Sequence, residues 1–300
     1  MSHGKVYIGI SGWRYQGWRG VFYPEKLPHR RELEFASRKF NTIELNGSFY
    51  SLQRPQSFLR WSAETPEDFM FSVKGSRYIT HMLRLRNVEG ALANFFAQGL
   101  LHLEAKLGPI LWQFPANFTF EPERIEDFLA MLPRTHTQAA DLARRHDERM
   151  RDRSWFQVQT DAPLRHAMEI RHESFANERF IRLLRRYGVG LVVADTVEWP
   201  LLMDITSSFV YCRLHGSEVL YTSGYEEEAI EQWARRIVIW AQGGEVSDGR
   251  KACKRNAVSR KRRDVYVYFD NDIKVRAPFD AEQLRVRVNA LLSNAAAVCK

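Results

Sequence analysis

The chain has 300 residues, 45% hydrophobic and 13% aromatic, so it can bury a sizeable core, and nothing in that composition suggests disorder. No apolar run is long enough to cross a bilayer, which argues against a helical membrane protein. The net charge of +8 invites a nucleic-acid partner, but its distribution is local: RKACKRNAVSRKRR, Arg250 to Arg263, holds eight Lys and Arg and no acid, which leaves 36 basic residues (44 minus 8) against 36 acidic ones elsewhere.

The opening MSHGKVYIGISGW enters a strand, Val6 to Ile10, almost at once. It has no signal-peptide h-region, so a cytoplasmic protein is expected. A loop rich in Trp, Tyr and Gly follows, in which Trp18, Phe22 and Tyr23 read as packing residues. RRELEFASRKF has apolar residues at helical spacing. Thr42 to Asn46 is the second strand, and Pro55 opens the helix PQSFLRWSAE, where proline suits the first turn. Phe69 to Lys74 is the third strand. EGALANFFAQGLLHLEAKLG predicts one long helix with Gly108 as its C-cap.

Ile110 to Phe114 is the fourth strand and EPERIEDFLAML the next helix. The charged stretch DLARRHDERMRDRSWF reads as a further surface helix. Met168 to Arg171, then helix FANERFIRLLRRYG and strand VGLVVAD, continue the alternation. Between Asp195 and Phe209 there is no room for a full helix, so a short turn or distorted helix is expected. FVYCRLHG is the seventh strand, and YEEEAIEQWARRIVIWAQGG is a helix ending in Gly-Gly. The basic stretch, an apparent solvated insertion at about 245–263, precedes the last strand VYVYFDND and the helix FDAEQLRVRVNALLSN. Eight strand–helix units, with no linker between domains, predict an α/β fold: a single (β/α)8 TIM-barrel domain over residues 1–300.

Each strand runs into polar residues, and parity sorts them, because side chains alternate faces along a strand. Glu44 and Asn46 share a face, as do Glu169 and Arg171; so do Tyr211, Arg213 and His215, and Tyr266, Tyr268 and Asp270. Lys74, Gln113 and Asp195 close three more strands. Helix-covered strands are apolar outside, so the polar sets are expected to point inward and toward the carboxyl rim. Four acids and three permanent cations can neutralise one another as a structural network. They can equally hold a ligand, with Glu44, Glu169 and His215 as candidate catalytic acid–base groups. Lys74, Arg171 and Arg213 suit an anion. Asn46, His81, Gln113 and Asp270 are further candidate contacts, and Trp13, Tyr50, Tyr78 and Trp112 candidate aromatic walls.

The same acids with His215 are metal-ligand types, yet the neighbouring cations compete for the carboxylates, so no metal is assigned. The cofactor is left open. There is no Walker loop, HExxH helix or GxSxG elbow. Cys212, Cys253 and Cys299 form no disulfide or zinc pattern, and Cys212 reads as a small buried apolar residue. His172 can cap the helical turn after it or take part in chemistry.

The ordered set GISGW, ELNGSFY, KGSRYITH, WQFP, EIRHESF, YCRLHG and YFDND resembles the domain-of-unknown-function family 72, also called YecE-like, from near Val6 to near Leu292. The resemblance implies a TIM barrel and a bacterial or archaeal cytoplasmic protein, and no established reaction. It carries over Gly12, Trp13, Glu44, Asn46, Phe49, Tyr50, Lys74, Thr80, His81, Gln113, Pro115, Glu169, Arg171, His172, Arg213, His215, Gly216, Asp270 and Asn271. The stretch from about Glu245 to Arg263 departs from the family pattern. The leading expectation is an enzyme acting by acid–base chemistry on a small anionic or polyhydroxylated, sugar-like substrate. A nucleic-acid-binding or -processing barrel using the 250–263 loop, and a non-catalytic binding or scaffold barrel, are the alternatives.

Overall fold

The structure, a computed structural model, describes residues 3–216, 224–271 and 275–298; Cys299 lies outside them. Eight parallel strands close into a barrel in sequence order: β1 Val6–Ser11, β2 Thr42–Leu45, β3 Met70–Lys74, β4 Leu107–Gln113, β5 His166–Glu169, β6 Gly190–Asp195, β7 Phe209–Leu214 and β8 Asp264–Phe269. The fold is the expected (β/α)8 barrel.

The register aligns the polar positions. Ser11 lies beside Glu44, Glu44 beside Ser72, Gln113 beside Glu169, and Arg213 beside Tyr268. Alternation then makes two layers. Ile10, Ile43, Val73, Ile110, Trp112, Val193, Cys212 and Phe269 face outward into the core beneath the helices. Tyr7, Leu111, Ala167, Val192, Tyr211, Tyr266 and Tyr268 fill the barrel interior. Its lower part is packed with tyrosines: Tyr7 stacks on Tyr266 at 4.9 Å, and Tyr268 shares a 2.8 Å hydrogen bond with Thr42. The interior is thus filled by aromatic rings in its lower part and polar above, toward the carboxyl rim.

The helices are α1 Glu32–Lys39, α2 Gly47–Tyr50, α3 Pro55–Ala63, α4 Glu89–Ala97, α5 Pro122–Met131, α6 His136–Ala143, α7 Glu178–Tyr187, α8 Glu227–Ala241 and α9 Ala277–Val298. Pro55 and Pro122 open α3 and α5, and Asn177 caps α7 through the Arg179 amide. Trp18, Phe22 and Tyr23 are buried in one aromatic cluster.

Three expected elements differ. The long helix 89–108 breaks at Gly99, whose φ of +102° is the left-handed region that favours glycine. A Cβ there would lie 2.5 Å from the Pro55 Cα, so the break is fixed by the close passage of α3. A 3₁₀ segment, Leu100–Lys106, follows, and Gly108 belongs to β4 rather than capping a helix. The charged stretch 141–156 is not one surface helix: α6 ends at Ala143, and only Glu148–Met150 makes a further 3₁₀ turn.

The third difference joins two loops. The β6–β7 connection, 196–208, contains no helix, in keeping with the short turn expected, and the start of the basic stretch, 250–253, packs over it while residues 254–256 and 258–262 stay exposed. The Met203 amide donates to the Arg250 carbonyl at 2.8 Å. The buried Asp204 carboxylate accepts from the Ala252 and Cys253 amides at 2.7 and 3.0 Å. Leu202, Met203, Ile205, Val246 and Cys253 join the outer core. The segment thus covers the wall that a sixth barrel helix would otherwise shield.

Candidate functional site

The barrel's upper interior is built around Arg213, delivered by β7 and fully buried. Burial opposes its charge, but the surrounding carboxylates outweigh that and hold it firmly cationic. Its Nε and Nη2 donate to Glu44 at 3.1 and 3.0 Å, Nη1 to Glu169 at 2.6 Å, and Nη2 to Asp270 at 2.7 Å. Ser11 and Tyr211 each donate to Glu44 at 2.6 Å. Gln113 and Arg171 donate to the remaining oxygen of Glu169 at 2.9 and 2.8 Å. Burial pushes the Glu169 carboxyl up, yet Arg213 and Arg171 overcome it and keep Glu169 ionised. Asp270 is held low against the same burial, mainly by Arg213. His215 Nδ1 lies 3.2 Å from Asp270. Each ion in this layer is multiply bonded, as buried charge requires.

Above this layer opens a pocket of about 810 Å³ lined by Tyr15, Asn46, Phe49, Tyr50, Lys74, Arg77, His81, Met82, Gln113, Arg171 and Asp270. These walls carry three cations against one carboxylate. Arg171 leans on the Trp199 ring at 4.1 Å, and Arg77 over Tyr50 at 5.6 Å. Lys74 rises from the end of β3 with its ammonium 4.5 Å from the centre of the Phe49 ring. Burial first, and Arg213 second, bring its pKa down from 10.5 to about 8. No carboxylate among the described residues lies within ion-pairing distance of it. His81, hydrogen-bonded to Thr80 at 2.9 Å, is pushed down to about 4 by burial and by Arg171, and so stays neutral near pH 7.

A second cleft of about 480 Å³ adjoins the first through Tyr15, Asn46 and Tyr50, and is walled by Trp13, Trp61, Arg14 and Arg60. Gly12, with φ +82°, turns the chain from β1 into this wall. A third cavity, about 560 Å³, lies at the amino end of the barrel, where Arg165 is paired with Asp264 and Tyr266.

The structure brings most of the candidate residues to one place. Asn46, Tyr50, Lys74, His81, Gln113, Arg171 and Asp270 line the rim pocket, and Trp13 lines the adjoining cleft. Glu44, Glu169, Arg213 and His215 lie directly beneath, fully buried, and do not line it. Three candidates belong elsewhere. Asp195 ends β6 on the outward face and accepts from Trp233 of α8 at 3.1 Å. Trp112 is buried outside the barrel against Phe95 and Phe128. Tyr78 does not line the pocket. His172 accepts from the Ser174 amide and caps the turn Glu173–Phe175. Among the described residues, no group of three or more His, Cys, Asp and Glu is arranged to hold a metal ion. Sequence reasoning misses Ser11, Tyr15 and Arg77. Ser11 has a signal in its parity with Tyr7 and Gly9; Arg77 lies within the KGSRY run.

The eight cations of 250–263 are partly engaged in structure. Arg250 pairs with Glu173, Lys251 with Glu245 at 2.8 Å, and Arg263 is buried against the Gly243 and Gly244 carbonyls. Lys254, Arg255, Arg260, Lys261 and Arg262 have exposed side chains. No described helix is long and apolar enough to cross a membrane.

Barrel and rim together define a (β/α)8 TIM-barrel protein with a charged pocket over the carboxyl ends of its strands. The chain belongs to the family described as "Protein of unknown function DUF72", whose sequence model matches residues 7–298. It is 31% identical over 156 residues to UPF0759 protein YunF of Bacillus subtilis, covering 50% of this chain and 52% of that protein. To UPF0759 protein YecE of Escherichia coli K12 it is 30% identical over 113 residues, 38% of this chain and 39% of that protein. The chain thus spans about half or less of the length of these curated relatives. A crystal structure of a DUF72 family protein from Thermotoga maritima matches with a TM-score of 0.69 at 25% identity, over 95% of this chain and 99% of that one. One from Enterococcus faecalis, at 15% identity and a TM-score of 0.67 over 95% of both, shares the fold.

Proposed function

We propose that the protein is an enzyme acting on a small anionic substrate bound in the rim pocket. The observation that carries this reading is Lys74: a buried ammonium with no carboxylate partner among the described residues, facing a pocket whose other cations are Arg77 and Arg171. An unpaired buried cation is costly, and an anion in the pocket would supply its missing partner. Arg171 and Arg77 would take the charged end of the substrate, with Lys74 and the neutral His81 nearer the reacting part. Glu44, Glu169 and His215 would serve as positioning residues, holding Arg213, Arg171 and Asp270 in place from below. The aromatic cleft beside the pocket suits a polyhydroxylated or planar extension of the substrate.

Thermal shift with orthophosphate, citrate and ribose 5-phosphate tests the reading. A stabilising anion should act well below the concentration at which sodium chloride has the same effect. Its apparent affinity should fall about tenfold in Arg77→Ala, an exposed position whose loss leaves the barrel intact. Equal stabilisation of Arg77→Ala and the wild type by every anion would argue against a pocket-bound charge.

A further inference from the structure

Resting on the anionic reading of the rim pocket, we propose that Lys74 is a nucleophile that forms a Schiff base with a carbonyl-bearing acid, a 2-oxo acid or its close analogue.

The geometry separates Lys74 from the other cations of the pocket. Arg77 and Arg171 are permanent charges whose planar forks suit a carboxylate, so the pocket can hold an acid without a lysine. Lys74 sits deeper, at the end of β3, with the Phe49 ring on one side and the buried Arg213 cluster below. Burial and the neighbouring Arg213 guanidinium both favour the neutral form of the amine. Asp270, the one carboxylate among the described pocket residues, is anchored at 2.7 Å by Arg213 and lies near His215, so it does not reach across to pair with the ammonium. A substrate with its carboxylate on Arg171 and Arg77 would thus present a neighbouring carbonyl carbon to a lysine whose pKa near 8 leaves a working fraction of free amine.

The step balances without an oxidant or a second reactant. The ammonium gives one proton to solvent in the open pocket. The amine's lone pair forms the N–C bond, and the C=O electron pair moves to oxygen, which takes up a proton. A second proton transfer expels that oxygen as water and leaves a protonated imine, so ammonium plus carbonyl gives iminium plus water. The iminium is an electron sink for proton loss, decarboxylation or carbon–carbon cleavage at the adjacent carbon.

The test is reductive trapping with the full-length protein. Pyruvate, glyoxylate, oxaloacetate and acetone are each incubated with sodium cyanoborohydride, and adducts are located by peptide mass spectrometry. At least one of the oxo acids should label Lys74 at one equivalent per chain, at least tenfold faster than the exposed Lys26 and Lys261, and acetone should show no such preference. Lys74→Arg should abolish that adduct, and phosphate or citrate should slow it in the wild type, where folding is not in question. If an oxo acid raises the melting temperature yet Lys74 is labelled no faster than Lys26, the nucleophile is overturned while the anion pocket stands. If no oxo acid stabilises the protein and none labels Lys74, the Schiff base falls; thermal shift with phosphate and ribose 5-phosphate then decides the anion pocket separately.

Discussion

At the scale of single residues, Lys74 and Arg213 are opposite solutions to the same problem. Arg213 is buried and directly ion-paired with Glu44, Glu169 and Asp270; Lys74 is buried and feels the same carboxylates only at longer range, without a direct pair among the described residues. Replacing Arg213 by Ala would leave three carboxylates without their common cation, and should cost at least ~3 kcal/mol or prevent folding, read by chemical denaturation. Replacing Lys74 by Met should do the reverse. In the unfolded chain a lysine keeps its proton up to its ordinary 10.5, in the folded barrel only up to about 8. Below 8 both states are protonated and the folded state carries the whole cost of the buried charge, on the order of 3 kcal/mol. Between 8 and 10.5 the folded lysine is already neutral, so the cost fades as pH rises. Lys74→Met should therefore melt above the wild type at pH 7, and the gap should narrow by pH 10. A variant that melts below the wild type at pH 7 would place a hidden partner on the ammonium.

Parity makes most of this layer legible in the sequence alone. Glu44 with Asn46, Tyr211 with Arg213 and His215, and Tyr268 with Asp270 all point inward because the intervening residues are apolar and covered by helices. Asp195 escapes the same reasoning: Val192, Val193 and Ala194 are apolar on both faces of β6, so no alternation marks which way its last residue turns. Depth is not legible at all. Strand position gives a side chain's direction, but whether Glu169 reaches the pocket or stops beneath Arg171 depends on packing across the barrel.

At the scale of elements, the basic segment changes character. As a sequence it is a run of charge. In the fold it is a covering strap, held by Asp204 and continuous with the outer core. Its buried apolar contacts, Cys253 and Val246, are only two residues in a polar stretch, too sparse to stand out as a pattern. Asp204→Ala should cost about 2 kcal/mol, since two backbone amides lose a charged acceptor, and should leave anion binding at the rim unchanged. Loss of rim binding in a folded Asp204→Ala protein would tie the strap to the site. Gly99 makes a similar point. The apolar run through 89–108 has the spacing of one helix, and only the passage of Pro55 forces the turn. Gly99→Ala should destabilise by more than about 1 kcal/mol in thermal or urea unfolding, because φ is positive and the added methyl meets backbone; an unchanged melting temperature would show that α3 does not approach so closely.

At the scale of the whole molecule, the net charge of +8 and the site are separate features. The surplus lies in residues 250–263, while the upper barrel balances Glu44, Glu169 and Asp270 against Lys74, Arg171 and Arg213. Arg213 takes most of the negative charge, and Lys74 is the cation left facing the pocket. The most direct measurement of that assignment is the pH dependence of Lys74 acetylation by acetic anhydride, followed by peptide mass spectrometry with and without orthophosphate. A reactive, pocket-facing amine predicts a rate midpoint near pH 8 for Lys74, and slowing by phosphate at Lys74 but not at the exposed Lys26 and Lys261. A midpoint at the ordinary lysine value near 10.5, or a rate that phosphate leaves unchanged, would contradict it.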